Sequence, residues 1–291
     1  MMVESALGKD TLVDWCCSQV MICPQRYIQS GKKSKEQPMK IGVVGKGGVG
    51  KTSVSSLLSR VLSERGRRVI AVDTDSNPNL GLSLGLTVEE TESQIPIPRS
   101  LVVGHRGDLS VKELIDTYAT STPTGPMLMS ALRVTQAGAG CTCGGHASVR
   151  SMLGSTIEEI ADDTIIDMEA GIEHLSRSGG TLAHVDVLVL VFEASRKAVV
   201  TASRTIALAR ELGIPGWIGV ANKVEPSEEA TVRTLCAEHE VPLDVVIRRS
   251  DAIVEADHAG VPMSRNAAPE LWDKVSSLAD RLAAGASADS R

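Results

Sequence analysis

Gly45-Lys46-Gly47-Gly48-Val49-Gly50-Lys51-Thr52 lies between a short apolar run and a helical pattern, and it fits G-x-x-x-x-G-K-[ST]. In such a loop the glycines let successive backbone N–H groups curl around phosphate oxygens, and a lysine ammonium meets the same oxygens. On this reading Gly45, Gly47, Gly48, Val49, Gly50, Lys51, Thr52 and Ser53 bind nucleotide. Lys51 faces the β- and γ-phosphates, and the Thr52 hydroxyl ligates Mg²⁺. The flanks agree: residues 40–44 suit a buried strand, and 52–65 suit a helix whose N-terminus faces the anion.

Working outward, strand and helix patterns alternate. Residues 69–72 are an apolar strand ending in Asp73-Thr74-Asp75, followed by a turn-rich connection over 76–86 and an irregular stretch over 87–110. A short helix is expected over 111–119, a strand over 128–134 and a helix over 147–161. Residues 164–166 form a strand closed by Asp167, and 185–192 are the clearest β-run in the chain. Helix 195–212 ends at Gly213, strand 217–221 is closed by Asn222-Lys223, helix 227–240 follows, and strand 243–247 is the last. Two short helices, 251–259 and 269–283, complete the pattern. Strands that are apolar throughout and separated by helices imply an α/β fold, a mostly parallel sheet with helices on both faces. Ligands of such sheets bind at the carboxyl ends of the strands, where the glycine-rich loop, Asp73, Asp75, Asp167 and Asn222 all fall. One domain is expected over 39–284. Residues 1–38 are read as an extension, loosely ordered or preceding a native start at Met39, and 285–291 as a frayed tail.

Composition narrows the partners. The chain has 291 residues, 42% of them hydrophobic but only 2% aromatic, so its core must be built from aliphatic side chains. A net charge of −6 disfavours a nucleic-acid surface. No apolar run approaches the roughly 18 residues that span a bilayer, and no signal-peptide pattern opens the chain, so a cytoplasmic protein without membrane contact is expected. Cysteines stand at 16, 17, 23, 141, 143 and 236, which is no disulfide framework. Cys16, Cys17 and Cys23 match no zinc spacing. Cys141-Thr142-Cys143, in a glycine-rich loop, supplies two thiolates, half of a tetrahedral set. Two copies of that loop would supply four, and soft S₄ sites suit Zn²⁺, an iron–sulfur cluster or thiolate-bound Ni²⁺. His146 is near enough in sequence to serve as an alternative or outer ligand.

Lys46, a second lysine inside the loop, resembles the signature lysine of the P-loop ATPases (SIMIBI class) that include the Min and Par partition ATPases, nitrogenase iron protein and several metallochaperone ATPases. The resemblance implies an ATP-dependent homodimer in which Lys46 of one copy reaches the other's phosphates. It also implies that Asp75 orients the attacking water, while Asp73 stabilises the strand end or the Mg²⁺ shell. Asp167-Met168-Glu169-Ala170-Gly171 resembles the switch II pattern D-x-x-x-G. By that resemblance Asp167 holds Mg²⁺ through water and the Gly171 N–H senses the γ-phosphate. The catalytic set implied is Lys46, Lys51 and Asp75.

Asn222-Lys223 ends a strand where P-loop proteins usually read the base. Glu225 stands where the guanine-specific N-K-x-D pattern has aspartate, which favours ATP. With the C-x-C loop included, residues 39 to about 284 resemble the CooC-type ATPases that help insert nickel into carbon monoxide dehydrogenase. That resemblance implies Ni²⁺ or Zn²⁺ held between subunits by Cys141 and Cys143, dimerisation on ATP, metal or both, and a carbon monoxide dehydrogenase-like client. The extension over 1–38 departs from the family pattern. A Min/Par-type positioning ATPase shares every nucleotide motif but usually carries a membrane-binding helix or a basic surface; residues 269–291 hold only three basic side chains, Lys274, Arg281 and Arg291. An iron–sulfur reductase like nitrogenase iron protein needs one cysteine before switch II and one after it, and after Asp167 there is only Cys236.

Overall fold

The computed structural model describes residues 37–75, 77–97, 110–131, 157, 160–168 and 184–285. Among them eight strands form one sheet: β1 (Met39–Val44), β2 (Val69–Asp73), β3 (Ala119–Ser121), β4 (Met127–Ser130), β5 (Asp163–Asp167), β6 (Val187–Phe192), β7 (Trp217–Val224) and β8 (Val245–Arg248). Their order is β3-β4-β2-β5-β1-β6-β7-β8. Every pairing is parallel except that of the edge strand β3, which runs antiparallel to β4. The described helices are α1 (Lys51–Glu64), α2 (Leu80–Ser83), α3 (Val88–Ser93), α4 (Val111–Tyr118), α5 (Arg196–Glu211), α6 (Glu229–Glu238), α7 (Asp251–His258) and α8 (Pro269–Ala283).

The two-residue period of a strand sorts the core into two layers. On β6, Val187, Val189 and Val191 join the layer that holds Leu58 and Val61 of α1 and Trp272, Val275 and Leu278 of α8. Leu188, Leu190 and Phe192 join the layer with Leu114 of α4, Val199 and Ile206 of α5, and Val232 and Leu235 of α6. Helices therefore cover both faces, and a strand buried on both sides must be apolar at every position, as β6 is. β1 sits centrally between β5 and β6, so the loop that follows it opens at the middle of the sheet's carboxyl edge.

Three local features depart from the sequence reading. The stretch over 87–110 contains α3, started by a capping box in which Thr87 Oγ1 accepts from Glu90 N–H (3.1 Å) and Glu90 Oε2 accepts from Thr87 N–H (2.8 Å). Thr-x-x-Glu was a legible start signal there. β3, only three residues long, carries no periodicity of its own and exists because β4 supplies its ladder. β7 continues through Asn222 and Lys223 to Val224, three residues beyond the expected end. Most of the helix expected over 147–161, and residues 132–134 of the strand expected over 128–134, lie outside the described residues.

Candidate nucleotide site

β1 delivers the chain to Gly45, and α1 begins at Lys51. Between them Gly48 (φ 83) and Gly50 (φ 91) adopt the left-handed conformation that favours glycine. Gly45 is packed so closely that a Cβ would lie 2.2 Å from the Val191 carbonyl oxygen of β6. No acidic side chain stands in the first turn of α1, so the positive end of the helix dipole is left for an anion. Lys51 is buried, its Nζ 3.5 Å from the Lys46 carbonyl oxygen, while the Lys46 side chain is exposed.

Thr52 and Ser55, one helical turn apart on α1, both address Asp167 at the end of β5. Thr52 Oγ1 donates to Oδ2 (2.6 Å) and Ser55 Oγ donates to Oδ1 (3.0 Å). Burial pushes the Asp167 carboxyl up to about 6, although the two hydroxyls and the Lys51 charge oppose the shift; the Asp75 charge adds to it. The Asp167 carbonyl oxygen accepts from the Thr74 N–H (3.0 Å) and hydroxyl (2.8 Å), locking the ends of β2 and β5 together.

Asp73 ends β2 and is a Cα partner of Asp167 across the ladder. Its Oδ1 accepts from the Asp75 N–H (3.0 Å) and its Oδ2 from the Leu80 N–H (2.9 Å), tying the turn to the start of α2. Burial first, then the charge of Asp167, raises its carboxyl to about 7. Of the two roles expected for Asp73, this geometry matches stabilisation of the strand end. The half-buried Asp75 accepts from the Asn77 N–H through Oδ1 (2.9 Å).

Asn222 and Lys223, expected near the base, are both turned onto the loop itself. Asn222 is buried and its Nδ2 donates to the Val49 carbonyl (2.8 Å). Lys223 Nζ donates to the Gly48 carbonyl and lies 3.3 Å from Glu193 Oε1. The sheet thus brings together Lys46, Lys51, Thr52, Asp73, Asp75, Asp167, Asn222 and Lys223. Ser55, Thr74 and Glu193 join them without having been singled out in the sequence; only Ser55, at i+3 from Thr52, carried a readable signal. Gly171, Cys141, Cys143 and His146 lie outside the described residues. Among the described residues no group of three or more His, Cys, Asp or Glu side chains is placed to hold a metal ion. Cys236 is buried on α6, where burial lifts its thiol to about 11.

The sequence profile described as "CobQ/CobB/MinD/ParA nucleotide binding domain" matches residues 41–263, the span that contains this constellation. The chain belongs to that family. It is an ATPase of the MinD/ParA-like P-loop class. It is 37% identical over 199 residues to the carbon monoxide dehydrogenase accessory protein CooC of Rhodospirillum rubrum, covering 64% of this ATPase and 74% of that protein. It is also 31% identical to an uncharacterized ATP-binding protein of Methanocaldococcus jannaschii, over 78% of this chain and 91% of the other. Among solved structures, the septum site-determining protein MinD of Pyrococcus horikoshii, complexed with Mg-ADP, superposes with a TM-score of 0.64 at 21% identity, covering 84% of the ATPase and 96% of that chain. A ParA family ATPase from Chlorobium tepidum gives 0.66 at 19%, with 83% and 98% covered. These two likenesses concern the fold. No described helix of the ATPase is long and apolar enough to cross a membrane.

Proposed function

We propose that this ATPase is a metallochaperone that hydrolyses ATP between two copies of the chain and delivers nickel to carbon monoxide dehydrogenase or a similar enzyme. The observation that carries the reading is the 37% identity to CooC, in a chain that also presents Cys141-Thr142-Cys143. The N–H groups of residues 45–53 and the Lys51 ammonium hold the β- and γ-phosphates of ATP. Thr52 and Asp167 offer two hard oxygen donors in mutual contact, which suits Mg²⁺, and Ser55 keeps the carboxylate turned toward that place. Mg²⁺, when bound there, offsets negative charge on the phosphoryl oxygens. Asp75 orients the attacking water, the Gly171 N–H reports the γ-phosphate, and Lys46 of the partner subunit adds a cation to the transferring group. Asn222 and Lys223 belong to the nucleotide site through their contacts with the glycine-rich loop. The cargo ion, Ni²⁺ or Zn²⁺, is held on the two-fold axis by Cys141 and Cys143 from each copy. The functional unit is the domain over 39–284, and it works in the cytoplasm.

The likeness to MinD and ParA structures keeps a positioning ATPase as the second reading. Against membrane attachment by α8, its apolar face of Leu271, Trp272, Val275, Leu278, Ala279 and Leu282 is buried against the body of the fold. A reductase with an iron–sulfur cluster between subunits is disfavoured because Cys236 is packed in the core of α6.

Metal content of anaerobically purified protein, with and without ATP, tests all three readings. Wild type is expected to hold about one nickel or zinc per two chains, as a four-thiolate site requires, and Cys141→Ser/Cys143→Ser to hold none. An iron–sulfur chromophore would support the reductase, and a metal-free protein the positioning ATPase. Lys46→Ala is expected to bind ATP like wild type and hydrolyse it more slowly. Equal loss of both would place Lys46 within its own subunit's site.

A further inference from the structure

Adjacent residues of a strand send their side chains to opposite faces. Yet Asn222 and Lys223, adjacent on β7, both reach the glycine-rich loop. The backbone accounts for this. Lys223 is left-handed with φ 57, and the register of β7 against β8 slips between Ala221 and Val224. An irregularity of this kind re-aims a side chain. A non-glycine residue in that conformation persists only where its surroundings hold it, and Lys223 is held by the Gly48 carbonyl and the Glu193 carboxylate.

The two carbonyls engaged are consecutive, Gly48 by Lys223 and Val49 by Asn222. In a planar trans peptide the C=O and the following N–H point in opposite directions. Drawing the Val49 oxygen toward Asn222 therefore turns the Gly50 N–H away from β7, and drawing the Gly48 oxygen toward Lys223 fixes the direction of the Val49 N–H. Gly50 is part of the same arrangement: a Cβ there would lie 2.4 Å from Asn222 Nδ2 and 3.8 Å from Lys223 Cε. We propose that Asn222 and Lys223 are positioning residues that set the 48–49 and 49–50 peptide planes, so that the Gly50 N–H stands ready for phosphate while the Val49 N–H is turned toward the Lys46 carbonyl (3.5 Å), and that Glu193 steadies the Lys223 ammonium. The inference rests on the reading that this loop holds the phosphates of ATP, and it gives both residues a task independent of the base.

Calorimetric titration of the full chain with MgATP, MgGTP and magnesium tripolyphosphate tests it, using wild type, Asn222→Ala, Lys223→Gly, Lys223→Arg and Glu193→Gln. Glycine adopts φ 57 without strain, so Lys223→Gly isolates the loss of the amine. Asn222→Ala and Lys223→Gly are expected to weaken all three ligands by the same factor, about 5- to 30-fold, leaving the ATP:GTP ratio unchanged. Glu193→Gln should give a smaller uniform loss, and Lys223→Arg should recover most of the affinity. Weakened ATP with unchanged tripolyphosphate would overturn the proposal in favour of base contact. Unchanged affinities with a lowered melting temperature would overturn it in favour of a purely structural role. A wild type that binds neither ATP nor tripolyphosphate would instead refute the nucleotide reading itself, and the proposal with it.

Discussion

Thr52 and Ser55 satisfy both oxygens of Asp167, so its ionised form survives in a place where burial alone would favour the neutral acid. Ser55→Ala removes one of those donors and moves the Asp167 carboxyl further upward. The acid limb of the pH profile of kcat/KM for ATP should then shift to higher pH, while the alkaline limb stays in place. Asp73 is a different case, because among the described residues its carboxyl, raised to about 7, is held by two backbone N–H groups and no hydroxyl. Asp73 and Asp167 both stand above the ordinary value of 3.8, so the native state retains protons that the unfolded chain releases. Their contribution to stability is fully present below about pH 4 and is lost as the pH rises through about 6 and 7. Melting temperatures in EDTA should show Asp73→Asn gaining on wild type as pH rises from about 4 to about 8. A difference that stays constant across that range would mean Asp73 does not titrate as its burial dictates.

The element that carries the phosphate loop is α1, and its far end is fastened to α8. The Trp272 side chain is fully buried, its Nε1 donates to Glu64 Oε2 (3.3 Å), and the Arg60 guanidinium lies 4.8 Å from the ring centroid. Arg60 Nη1 also donates to the Met263 carbonyl (2.6 Å), which ties the segment before α8 to the same helix. Trp272→Ala leaves a large cavity in this contact and should cost about 3–5 kcal/mol of stability. Urea titration should show a lower midpoint with an unchanged slope. A loss below about 1 kcal/mol would mean that the site collapses freely around the missing ring.

At the scale of the whole molecule, the sheet begins at Met39 and the family match at residue 41. A chain started at Met39 is therefore expected to hydrolyse ATP as the full chain does and, if the proposed dimer forms, to show the same ATP-dependent mass in size-exclusion chromatography with light scattering. Loss of either would make residues 1–38 part of the working protein. Most of the α/β architecture was legible because a strand buried on both faces is largely apolar: β6 is so throughout and β2 is so up to Asp73, whereas the buried β5 keeps only Ile165 and Ile166 between polar ends. α3 was equally legible, through Thr87 and Glu90, but its capping signal lay in a stretch that Pro96 and Pro98 made look irregular. β3 was not, since three residues cannot show a period and its pairing is supplied by β4.

By itself the sequence determined the phosphate loop, the parallel sheet and the family, since each rests on local spacing: eight consecutive residues for the loop, alternation and apolar runs for the strands. Only the tertiary structure decided where the long-range partners meet. Ser55 on Asp167, Asp73 on the start of α2, and Asn222 with Lys223 on the loop carbonyls all depend on the strand order, and in the last case on a left-handed residue within β7. The direction of a side chain at the end of a strand follows from backbone twist and register, and neither is written in the type of residue that stands there.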